Sequence, residues 1–184
     1  MSGVNRIETR EQTFQRCFES HYGAVLAYCR RRVSPADAQD AAAEVFTIVW
    51  RKIDELPESG NVRSWLFGVA YRVLGHHWRT QRRYRRLRER VAGIGTPLQA
   101  GPEVVVVQRA QDRMVLDAAG RLGQADQEIL RLAGWEGLPH ADIAEILGIS
   151  VAAVDQRFHR AKRRLAKEYD RLAQRPIRRA AGGG

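Results

Sequence analysis

Apolar residues along this chain recur at steps of three and four rather than two. Val45, Val49, Trp50, Ile53 and Leu56 form one such series, and Leu66, Val69, Ala70, Val73 and Leu74 another. That spacing gathers side chains on one face of a helix, and the alternation expected of strands is nearly absent. The pattern predicts an all-α fold. A first helix is expected from about Glu11 to Arg32, halted at Val33-Ser34-Pro35 because a residue preceding proline is pushed out of the helical region. A second is expected from about Asp37 to Leu56, ending at Pro57 and a Ser59-Gly60 turn. The third begins near Val62 and continues as a basic stretch to about Arg88.

Between Val91 and Pro102 the chain reads AGIGTPLQAG, rich in glycine and without charge, which is the composition of a flexible linker. Two small helical domains are therefore expected, at residues 10–90 and 102–175, joined by a linker at 91–101 and followed by a disordered tail at 176–184. Domains of about 75 residues bury only about 60% of their unfolded-chain surface and are marginal alone, so a large partner would add stability. Val104 to Val107 is β-branched like a strand. With no partner strand in sight, it is read as the start of a helix.

Charge changes the picture. The 184 residues carry 31 Lys and Arg against 21 Asp and Glu, a formal net charge of +10, which points to a polyanionic partner and to nucleic acid first. Cys17 and Cys29 have neither a CxxC spacing nor flanking histidine and are read as small core residues. His21, His76, His77, His140 and His159 are scattered, and there is no glycine-rich phosphate loop. Adjacent residues such as His76 and His77 project about 100° apart on a helix, a poor geometry for a shared metal. No catalytic residue, metal or cofactor is expected. Apolar runs fall far short of the roughly 20 residues of a membrane span, so a cytoplasmic protein without membrane insertion is expected.

The charges are also sorted by element. On the second helix Asp37, Asp40, Glu44, Asp54 and Glu55 outnumber Arg51 and Lys52. On the third, Arg72, Arg79, Arg82, Arg83, Arg85, Arg86 and Arg88 are interleaved with Trp65, Tyr71, Trp78 and Tyr84. Interleaved cations and rings suit single-stranded nucleic acid, whose bases stack at about 1–3 kcal/mol each. Core packing is the competing role for Trp65, beside the apolar Leu66.

The sharpest local motif is ADIAEILGISVAAVDQRFHRAKRRL. Ile143, Ala144, Ile146 and Leu147 form the inner face of a short helix, Gly148 supplies a left-handed terminus, and Ser150 caps the next helix. Val151, Val154, Phe158, Ala161 and Leu165 then make one apolar stripe. Ala152, Ala153, Asp155, Gln156, Arg157, His159, Arg160, Lys162 and Arg163 face outward. This is a helix-turn-helix whose second helix presents short and polar groups to base edges and cations to phosphates.

In order and spacing, FQRCFESHYGAVLAYCRRRV, ADAQDAAAEVFTIVWRKIDEL and VRSWLFGVAYRVLGHHWRTQRR resemble the second conserved region of extracytoplasmic-function (ECF) sigma factors. The helix-turn-helix resembles their fourth region. The resemblance implies an initiation factor that catalyses no reaction itself. Its partners would be promoter DNA and core RNA polymerase, through the β′ clamp coiled coil and the β flap. An anti-sigma protein that covers both DNA-binding faces is a further partner in many members. Carried over by position, polymerase contacts fall on Asp40, Glu44, Phe46 and Trp50. Contacts to the −10 element fall on the loop from Pro57 to Asn61 and on Trp65, Arg72, His76, Arg79 and Arg82. Contacts to the −35 element fall on Ala152, Ala153, Gln156, Arg157, His159, Arg160, Lys162 and Arg163.

Some positions depart from the family pattern. Tyr71-Arg72 and Gly75-His76-His77 replace residues that bear on −10 preference, and Pro139 stands where a serine cap is common. Asp155-Gln156 replaces a Lys-Ser pair, and a carboxylate cannot favourably contact phosphate. Asp155 is expected to accept from cytosine N4 or to pair with Arg157 or His159. A stand-alone dimeric regulator would need a receiver or ligand domain, and no alternating βα pattern supplies one.

Overall fold

The structure is a computed structural model that describes residues 9–57, 60–92 and 110–174. Every regular element among them is helical, and the chain divides into two compact units, Met1–Val104 and Val105–Gly184.

The first unit holds α1 (Arg10–Arg30), α2 (Pro35–Arg51), a 3-10 turn (Ile53–Glu55) and α3 (Val62–Ala92). Thr9 starts α1 with a capping box: its hydroxyl accepts from the Gln12 N–H at 3.2 Å while its own N–H donates to Gln12 Oε1 at 3.0 Å. Ser34 caps α2 by accepting from the Asp37 N–H, with Pro35 in the first turn, so α2 starts two residues earlier than Asp37. The expected end at Leu56 becomes a 3-10 turn after Arg51.

Three fully buried alanines, Ala38, Ala41 and Ala42, let α2 lie close against its neighbours. Val25, Tyr28 and Cys29 of α1 and Leu66, Phe67, Ala70 and Leu74 of α3 complete the core. Tyr28 stacks on Phe67 at 4.7 Å, and the buried Arg32 guanidinium lies 3.5 Å over the Tyr28 ring. Arg32 Nη1 also donates to the Tyr28 carbonyl at 2.9 Å, so the sequestered cation keeps polar company. Cys17 and Cys29 are free and buried as expected, and burial pushes the Cys17 thiol up against a smaller opposing effect of Arg16.

The second unit holds α4 (Ala110–Gly120), α5 (Gln124–Leu130), a π-helical turn (Arg131–Trp135), α6 (His140–Leu147) and α7 (Val151–Ala173). Its centre is Ala118, Ile129, Leu132, Ile143, Val154 and Ala161, all fully buried. α7 packs against α4, α5 and α6, and Arg164 pairs with Asp126 of α5. Trp135, at the end of the π turn, is 45% exposed. Residues 91 and 92 of the expected linker are the end of α3. The rest of that linker, the helix start at Val104 to Val107 and the tail at 176–184 lie outside the described residues.

Candidate nucleic-acid and protein interfaces

In the helix-turn-helix, Ile143, Ala144 and Ile146 are buried and Leu147 is half-buried. Gly148 ends α6 with φ 65° and ψ 39°, the left-handed conformation expected of it. The Ser150 hydroxyl accepts from the Ala153 N–H at 3.2 Å and so starts α7. Pro139 occupies the cap position of α6 without a side-chain bond, and the helix begins after it at His140.

Along α7, Val154 and Ala161 are fully buried, while Phe158 and Leu165 are half-buried. Val151 departs from the expected stripe. It is 45% exposed, because a first-turn side chain leans back past the end of its helix. Ala152, Gln156, Arg157, His159, Arg160, Lys162 and Arg163 are exposed, and Ala153 is half-buried. Lys162 Nζ also lies 5.5 Å over the Phe158 ring. Asp155 pairs with neither Arg157 nor His159. Its Oδ1 meets His140 Nδ1 at the start of α6, and the His140 ring stands edge-on to Phe158 at 5.1 Å. Arg157 lies about 200° further around the helix, which puts it out of reach of that edge.

On α2, Asp40 and Glu44 are exposed one turn apart. Elsewhere in this segment Asp37 accepts from the Ser34 hydroxyl at 2.7 Å, Asp54 meets Arg10 at 3.1 Å and Glu55 meets Lys52 at 2.8 Å. Phe46 requires a correction as a surface contact. It is only 3% exposed, because rings from α1 cover it: Phe18 at 4.9 Å, Tyr22 at 5.9 Å and Phe14 at 6.4 Å. Trp50 is 40% exposed and sits edge-on to Phe14 at 5.3 Å.

The α1 side of this patch was not among the expected contacts. Phe18 is 38% exposed, and an open groove is lined by Phe14, Phe18 and Trp50 together with Glu11, Gln15 and Glu19. The signal was readable in the chain as two interleaved ladders, Phe14-Phe18-Tyr22 and Glu11-Gln15-Glu19, each at four-residue steps.

On α3, Trp65 is half-buried and Arg72, His76 and Arg79 are exposed, at helical steps that place them on one face. Trp78 is half-buried. Asn61 opens the helix, its carbonyl accepting from the Trp65 N–H at 2.9 Å. Between Pro57 and Asn61, Gly60 takes φ 80° and residues 58 and 59 lie outside the described residues, as does the Arg82 side chain. Burial, and next the charge of Arg63, hold the His21 imidazole below its ordinary value. Among the described residues no cluster of His, Cys, Asp or Glu is arranged for a metal, and no helix is long and apolar enough to cross a membrane.

Two family models match the chain in order: sigma-70 region 2 over residues 17–84 and sigma-70, region 4 over residues 112–165. Together they cover more than half of it. The chain is 26% identical over 164 residues to the RNA polymerase sigma factor CnrH of Cupriavidus metallidurans, spanning 82% of this chain and 84% of that one. It is 26% identical over 170 residues to the ECF RNA polymerase sigma factor BldN of Streptomyces coelicolor, spanning 91% and 64%. In fold it is similar to the sigma factor RpoE of Bartonella quintana, solved in complex with the anti-sigma factor NepR, with a TM-score of 0.62 at 19% identity over 85% of this chain and 96% of that one. With region 2 before the inter-unit segment, region 4 after it and ECF sigma factors among its relatives, the chain belongs to the sigma-70 family of RNA polymerase sigma factors as a member of the ECF type.

Proposed function

We propose that the three exposed faces divide the work of initiation among them. α2 docks core polymerase on the β′ clamp coiled coil through Asp40, Glu44 and Trp50. Phe18 of α1 widens that surface, and Phe46 supports it from beneath. α3 and the loop before it open and read the −10 element through Asn61, Trp65, Arg72, His76, Arg79 and Arg82. α7 reads the −35 element through Ala152, Ala153, Gln156, Arg157 and His159 and grips phosphate through Arg160, Lys162 and Arg163, with the β flap holding the second unit. The factor works in the cytoplasm and leaves catalysis to the polymerase. An anti-sigma protein, if the cell has one for this chain, would cover these same faces.

The observation that carries this reading is the exposure pattern of α7. Its apolar stripe turns inward from Val154 onward, with Val154 and Ala161 buried and Phe158 and Leu165 half-buried, while the four cations at Arg157, Arg160, Lys162 and Arg163 all face solvent behind a capped, left-handed turn. Transcription in vitro with core polymerase from random promoter templates tests it, because recovered templates report both elements at once. The expected result is enrichment of two spaced motifs that disappears when the factor is omitted. Transcripts without any template preference would overturn the assignment of the two reading faces.

A further inference from the structure

Ala152, Asp155, Gln156 and His159 lie three, four and seven positions apart and therefore share one face of α7. Asp155 thus sits inside the patch offered to the −35 element, where an added carboxylate repels phosphate and accepts only from a donor such as cytosine N4. Yet this carboxylate is not left to the DNA. Its Oδ1 is held by Nδ1 of His140, the first residue of α6, from the other helix of the motif. A carboxylate accepts and does not donate, so Nδ1 carries the shared proton. The imidazole is itself fixed, standing edge-on to Phe158 at 5.1 Å with an interplanar angle of 68°. The Phe158 ring is in turn fixed in the α7 stripe, with Lys162 on it.

We propose that His140 is a positioning residue for promoter selectivity: it ties the Asp155 carboxylate back toward α6, so that Gln156 and its neighbours read bases without a competing acceptor. The inference rests on the reading of α7 given above. It predicts an asymmetry between the two partners. Without His140 a carboxylate is released onto the DNA face, whereas without the charge on Asp155 there is nothing to release.

The test uses full-length protein in holoenzyme, on promoter libraries randomised across the −35 element, with thermal unfolding of each variant alongside. His140→Ala, and His140→Phe, which keeps a ring against Phe158 but removes the donor, should each bind the preferred element roughly tenfold more weakly, about the worth of one hydrogen bond to a charged group. Both should newly enrich cytosine at one position. Asp155→Ala should lose less than either His140 variant, and His140→Ala combined with Asp155→Ala should abolish the new cytosine preference and bind more tightly than His140→Ala alone. A tie that merely joins two helices would lose the same stability whichever partner is removed, and removing both would restore nothing. Equal loss in His140→Ala and Asp155→Ala without rescue in the double variant therefore overturns the proposal. If instead the wild-type holoenzyme enriches no −35 sequence at all, it is the underlying reading of α7 that fails.

Discussion

Gly148 sits at φ 65° and ψ 39°, and a Cβ built there meets no atom within 4 Å. The cost of a side chain at this turn is therefore backbone strain rather than a clash. Gly148→Ala should destabilise the second unit by about 1–2 kcal/mol, a fall of several degrees in Tm by calorimetry. An unchanged Tm would show that the turn relaxes into another conformation. Both Gly148 and its neighbour Ser150 were legible in the sequence, because cap and turn chemistry depends on a few adjacent residues. The partner of Asp155 was not: His140 lies fifteen positions away across the turn, and no local rule selects it over Arg157 or His159. His21 gives a prediction of opposite character. Burial and Arg63 lower its folded value, so the unfolded chain binds more protons near the ordinary histidine value of about 6.5. The stability from this group is full above that value and is lost as pH falls through the lower folded one. Thermal unfolding of the first unit should show a slope toward lower stability on acidification that His21→Gln flattens, and an unaltered slope would place the titration elsewhere.

Among the helices, α2 separates its two duties by face. Ala38, Ala41, Ala42, Val45 and Val49 are buried, while Asp40 and Glu44 are exposed. Reversing both, Asp40→Lys with Glu44→Lys, should leave circular dichroism and Tm near wild type. Affinity for core polymerase should fall by about a hundredfold or more, since like charges across an interface cost several kcal/mol. Retained wild-type affinity would move the docking face off α2. The stripes that predicted α2 and α3 survive in the structure, the exposed Trp50 apart, because helical periodicity reports which side of an element is apolar. Periodicity says nothing of what lies on top, which is why Phe46 read as a contact and proved to be roofed by Phe14, Phe18 and Tyr22. On α7 the same logic separates two kinds of substitution. Arg157→Ala should relax base preference, whereas Lys162→Ala or Arg163→Ala should weaken all duplexes alike and lower the salt dependence by about one unit of slope each. Anisotropy titrations across a salt series on matched and scrambled duplexes distinguish the two outcomes.

At the scale of the molecule, a chain of net charge +10 presents two separate compact units to a polyanion. Without polymerase its hold on a promoter should be mostly electrostatic, weak at physiological salt and falling with a log–log slope of about 0.9 per phosphate neutralised. Nanomolar, salt-insensitive binding of a whole promoter by the free protein would be the behaviour of a stand-alone repressor instead. The sequence anticipated this two-part organisation from one glycine-rich stretch, although α3 extends to Ala92 and so into its first residues. The tryptophans follow the same division. Trp50, Trp65 and Trp78 belong to the first unit, and the half-exposed Trp135 that ends the π turn is the one tryptophan of the second. The protein thus carries its own optical label: with the other three replaced by phenylalanine, emission would report from the second unit alone. Its quenching by acrylamide, in the free protein and then with a −35 duplex added, would report the engagement of that unit with DNA without an added dye.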